Sequence, residues 1–126
     1  MRMTFRLFVT VLALGAVVAT TAQAQNTRIV YAPGNGVSLP VLLTEVKPNY
    51  TQEAKDARIE GTVRLECVVE SDGRVGEVKV ARSLDAILGL DQEAIKAAKQ
   101  WRFKPGEKDG KPVAVRVQVE INFTLK

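Results

Sequence analysis

The side chains with chemistry to offer are Cys67, the carboxylates Asp85, Asp91 and Glu93, and the basic run Lys96, Lys99, Arg102 and Lys104. A thiol nucleophile needs a base beside it. The chain has no histidine, so that work would fall to carboxylates or lysines. Cys67 shares an alternating apolar face with Val63, Leu65 and Val69, where a free thiol packs as a small hydrophobe. One cysteine excludes an intrachain disulfide, and without histidine it excludes a His/Cys zinc site. Asp85, Asp91 and Glu93 are oxygen ligands by type but lack calcium-loop spacing. Asp91 and Glu93 instead suit the start of a helix. The basic run lies toward that helix's C-terminal end, where it reads as a solvated face, and only weakly as a site for an anionic polymer such as peptidoglycan. These residues predict no catalytic centre, no cofactor and no metal. The expected class is a binding module, not an enzyme.

Charge narrows the partners. The formal net charge is +4, and a chain processed as argued next would lose Arg2 and Arg6 and carry +2. That balance argues against nucleic acid. Arg2 and Arg6 precede an apolar run over residues 7–19, followed by Ala22-Gln23-Ala24-Gln25. A basic start, a short apolar stretch and an Ala-x-Ala site predict a signal peptide over 1–24, cut between Ala24 and Gln25. The competing expectation is an uncleaved membrane anchor, although the strongly apolar part is shorter than the ~20 residues a spanning helix needs. Either way the remainder is exported. Residues 25–46 read as an extended arm, partly docked. Pro33-Gly34-Asn35-Gly36 marks a turn, and Pro40 allows only an edge strand nearby.

The elements that follow form one domain over 47–126. Residues 48–59 predict a short helix with its lead-in, capped by Thr51 and ended by Gly61. Residues 62–70 alternate as a strand. Val68 is the exception on its polar face. Ser71-Asp72-Gly73 predicts a hairpin, with residues 74–82 returning. Leu90, Ala94, Ala97, Ala98 and Trp101 trace the apolar stripe of a second helix. Trp101 and Phe103 are therefore assigned to the core. Residues 113–125 alternate without a break, with Val113, Val115, Val117, Val119, Ile121, Phe123 and Leu125 on one side. The order helix, strand, strand, helix, strand predicts an α+β, two-layer domain. Its two helices cover one face of a three-stranded antiparallel sheet.

Several motifs then resemble the TonB C-terminal domain family. They are Pro48-Asn49-Tyr50 before a short helix, Arg58-Ile59-Glu60-Gly61-Thr62-Val63, Asp72-Gly73-Arg74-Val75, the helix from Leu90-Asp91, Trp101-Arg102-Phe103-Lys104-Pro105-Gly106, and the final valine-rich strand. The resemblance covers about residues 47–125. It implies the same two-helix, three-stranded fold and a periplasmic role in transport across the outer membrane. The partners it implies are outer-membrane TonB-dependent receptors, whose extended TonB box is gripped by β-strand addition to the last strand, and inner-membrane proteins of the ExbB/ExbD type. The residues it implies for gripping are Val113, Val115, Arg116, Val117, Gln118, Val119 and Glu120, with Lys47, Pro48 and Tyr50 before the first helix. The alternatives are a minimal membrane-anchored transducer, and a structural envelope domain that binds peptidoglycan or forms a homodimer through the same edge.

Overall fold

The computed structural model describes residues 28–126, so the leader, with Ala22, Ala24 and Gln25, lies outside the described residues. The elements in chain order are β1 (Val30–Tyr31), β2 (Val41–Thr44), α1 (Gln52–Asp56), β3 (Gly61–Val69), β4 (Val75–Arg82), α2 (Leu90–Ala98), β5 (Arg102–Lys104), β6 (Gly106–Lys108) and β7 (Lys111–Phe123).

The centre of the sheet is β7–β3–β4, antiparallel throughout, and β3 pairs with β7 in unbroken register from Gly61↔Phe123 to Val69↔Val115. The period-two pattern sends Val63, Leu65, Cys67 and Val69 to one face, together with Val115, Ile121 and Phe123. All seven are buried. Ala54 of α1 and Leu90, Ala94, Ala97 and Ala98 of α2 close this core from below, with Trp101 and Phe103. This is the expected two-layer α+β arrangement. Val68 is also buried, on the opposite face from Cys67 and beside Arg116 in register.

Both helices are shorter than their patterns suggested. In α1 the Thr51 hydroxyl accepts from the Ala54 N–H at 3.2 Å, the expected cap. That hydroxyl also donates to the Leu88 carbonyl at 2.7 Å, which ties α1 to the loop before α2. The loop is held by two buried carboxylates. Asp85 accepts from the N–H groups of Ile87, Leu88 and Leu90, at 2.9 to 3.2 Å. Asp91 accepts from the N–H groups of Leu84 and Asp85 at 3.1 and 3.0 Å, and from the Ser83 hydroxyl.

The two Asp-Gly pairs make different hairpins. At Ser71-Asp72-Gly73 only the glycine has positive φ, 88°, and the loop has three residues. A side chain there would run into the Phe103 carbonyl. Asp109 and Gly110 both have positive φ, 53° and 77°, giving a two-residue loop between the paired Lys108 and Lys111. Neither β6, which this turn joins to β7, nor β5 was expected from the sequence pattern.

The arm adds more backbone. β1 lies parallel beside β7, with Val30↔Ala114 and Tyr31↔Val115. β2 follows directly on Pro40 and pairs with β5, as the edge strand that the proline permits.

Candidate functional site

A strand edge can recruit another strand only where its N–H and C=O groups lack partners. The β6–β7 turn shows which residues of β7 aim them outward. Residues flanking a two-residue hairpin loop exchange both main-chain bonds, and the pattern then alternates along the strand. Lys108↔Lys111 and Gly106↔Val113 are therefore bonded pairs, while Glu107↔Pro112 is not, which suits a residue without an N–H. Odd-numbered residues of β7 aim their main-chain groups at the outer edge, and even-numbered ones aim at β3. β7 pairs with β3 and β6 without a register shift, so this phase runs to its end.

At Val113 and Val115 the outer edge is already taken. β6 pairs at Val113, β1 pairs at Val115, and the Val115 side chain is fully buried in the core. From residue 117 to 123 no described strand covers it. The open donors and acceptors are those of Val117, Val119, Ile121 and Phe123. Gln118 and Glu120 keep theirs inside the sheet.

The side chains of Arg116, Gln118, Glu120 and Asn122 form the face away from the helices. Arg116 bridges Glu66 at 3.3 Å and Glu77 at 3.6 Å. Glu120 meets Arg64 at 2.9 Å, and Thr62 bonds Asn122 at 2.6 Å. These cross-strand contacts tie β7 to β3 and β4 more than they advertise charge.

Two hollows adjoin the open edge. One, of about 370 Å³, lies between the segment before α1 and the end of β7, and brings together Lys47, Pro48, Tyr50 and Glu120, with Trp101 and Phe123 among its walls. Tyr50 is anchored there. Its ring meets Phe123 edge-on at 5.4 Å, and its hydroxyl donates to the Ile59 carbonyl. Burial, helped by the Glu60 charge, raises its pKa. The Trp101 indole N–H donates to the Val46 carbonyl at 2.8 Å, so the arm is pinned against the core where it enters the site. The second hollow, of about 350 Å³, is lined by Ala32, Pro33, Leu39, Glu66 and Arg116 to Gln118. Leu39 had no sequence signal, because the arm carries no clean period.

Cys67 is 1% exposed on β3. Burial, with the neighbouring Glu66 charge, pushes its thiol up to about 11, which makes a poor nucleophile. Among the described residues no group of acidic, cysteine or histidine side chains could hold a metal ion, and no helix is long and apolar enough to cross a membrane.

The fold and edge define a class: a small two-layer α+β module with a partly open last strand and a pre-helix segment beside it. Residues 46–125 match the family described as Gram-negative bacterial TonB protein C-terminal, and the chain belongs to that family. Protein TonB of Vibrio cholerae is 37% identical over 91 residues, covering 71% of this chain and 37% of that protein. Protein TonB of Escherichia coli is 33% identical over 87 residues, covering 69% of this chain and 36% of that one. The chain thus matches little more than a third of either relative. The solution NMR structure of the Pseudomonas aeruginosa TonB CTD superposes with a TM-score of 0.57 at 26% identity, covering 79% of this chain and 97% of that domain.

Proposed function

We propose that this chain is an exported, periplasm-facing binding module of TonB-dependent transport across the outer membrane. It grips an extended segment of a receptor by strand addition along residues 117–123. The observation that carries the reading is the row of outward main-chain groups at Val117, Val119, Ile121 and Phe123, with no described strand opposite. Such a row selects an extended backbone, with side chains tuning the choice. Lys47, Pro48 and Tyr50 line the hollow at its C-terminal end and supply contacts beyond the ladder. An inner-membrane partner of the ExbB/ExbD type belongs to the same proposal, for the whole assembly.

The test is an NMR titration of isotope-labelled protein with synthetic peptides from receptor N-termini. Shifts should concentrate at residues 117–123 and around Lys47 to Tyr50. Val119→Pro removes one outward donor and should weaken binding about tenfold or more while the protein stays folded. Undiminished binding to folded Val119→Pro protein would overturn strand addition at this edge.

A further inference from the structure

The motif Trp101-Arg102-Phe103-Lys104 takes no part in the binding edge. Its aromatic residues are buried in the core. Arg102 and Lys104, at the alternate positions, are exposed on β5. The β2–β5 register shows what stands beside them. Val41 lies opposite Lys104, and Thr44 opposite Arg102. Leu43 is the extra residue of a bulge, so Leu43 and Thr44 together oppose Arg102. On its other side Arg102 bridges to Arg74. Val41 is 54% exposed and Leu43 65%. The ribbon therefore sets two exposed apolar residues beside three cations.

Neither half of this face is accounted for within the described residues. Arginines directly opposite each other repel. Arg74 has Asp72 at 3.8 Å, between two exposed groups. Arg102 and Lys104 have no carboxylate partner among the described residues. β2 is an edge strand, exposed at all four positions and without a charge of its own. Edges left to water are normally guarded by charge. Apolar side chains fringed by Lys and Arg suit a headgroup layer, where the apolar groups enter the acyl boundary and the cations meet phosphates. Chain length points to the same occupant. The apolar run 7–19 ends nine residues before Arg28. A chain that keeps that run in a membrane cannot carry Arg28 more than about 30 Å from it, and the arm starts there.

We propose that the β2–β5 ribbon is a membrane-contact face. It seats Val41 and Leu43 in the interface of an anionic phospholipid bilayer, with Arg74, Arg102 and Lys104 against the lipid phosphates. The proposal is independent of strand addition, since none of these residues lies on 117–123.

The test is flotation of the full chain with phosphatidylcholine vesicles, and with vesicles in which roughly a third of the lipid is phosphatidylglycerol. Wild type should bind the anionic vesicles about tenfold more tightly, and high salt should remove the difference. Arg102→Glu/Lys104→Glu should weaken anionic binding about tenfold or more, at roughly fivefold per cation lost. Val41→Ser/Leu43→Ser should weaken binding to both kinds of vesicle. Lys79→Glu/Arg82→Glu makes the same change of net charge on β4 and should leave binding within about twofold. An equal loss in that control would mean that net charge alone acts, and would overturn the proposal. A positional readout separates the ribbon from Arg2, Arg6 and the run 7–19, which can bind vesicles by themselves. With spin-labelled lipid in anionic bicelles, the amide signals of residues 41–44 and 102–104 should broaden more than those of residues 77–82. No such excess overturns the proposal. If Val41→Ser/Leu43→Ser instead abolishes a concentration-dependent self-association and leaves vesicle binding unchanged, the face is an interface between copies and the proposal is likewise overturned.

Discussion

Asp85 and Asp91 divide the N–H groups of one loop between them, and the share held by Asp85 sets an acid limit on the fold. Burial alone would raise the Asp85 carboxyl, but the N–H groups of Leu88, Leu90 and Ile87 outweigh it and hold its pKa below the usual carboxylate value. A carboxyl depressed in the folded state adds stability above its unfolded value of ~3.9, and loses it as pH falls through the folded value. Asp85→Asn keeps one acceptor and gives up the charge. It should cost about 1–2 kcal/mol at neutral pH and flatten the loss of stability below about pH 4, read by urea unfolding across that range. A variant as stable as wild type at pH 7 would mean that the loop holds without the charge. The sequence placed Asp91 at a helix start, correctly. It gave no hint that Asp91 bonds backwards to Leu84 and Asp85, since that depends on how the chain folds over itself.

The last strand was legible in one respect and silent in another. Side-chain alternation tells which residues enter the core, and Ile121, Phe123 and Val115 are there. It carries no information on which residues turn their N–H outward, because side chains and main-chain groups point along perpendicular directions. That phase comes from the Asp109-Gly110 turn. Its consequence is a contrast between adjacent prolines. Gln118→Pro removes a bond to β3 in the middle of the sheet and should destabilise by about 3 kcal/mol or more, whereas Val119→Pro sits on an edge that tolerates proline. Circular dichroism melts of the two would reverse the assignment if the order came out opposite. The hairpin β3–β4, the Thr51 cap and the Leu90 helix were readable because each has a local signal. β1, β5 and β6 are two or three residues long and have none. Their existence depends on neighbours far away in sequence, such as Phe103 bonding to Gly73 at 2.9 Å.

At the scale of the whole molecule, the arm and the domain share one surface. Arg28 pairs with Glu70, and Lys108 stands 4.9 Å from the Tyr31 ring, so β1 is fastened on both sides. Beyond Tyr31 the chain turns away through Pro33 and Gly34, comes back along β6, and runs on as β2 toward the pre-helix segment. One stretch of chain therefore both fills the beginning of the open edge and borders the rest of it. The fastened β1 makes the site a length gauge. A guest can occupy about seven residues, 117–123, a span of roughly 24 Å, before it meets a backbone already seated. Extending a bound peptide from three to seven residues should tighten it step by step, and further residues toward Val115 should add nothing, as measured by calorimetry over a peptide-length series. Continued tightening past that point would mean that the guest evicts β1, and that the gauge slides.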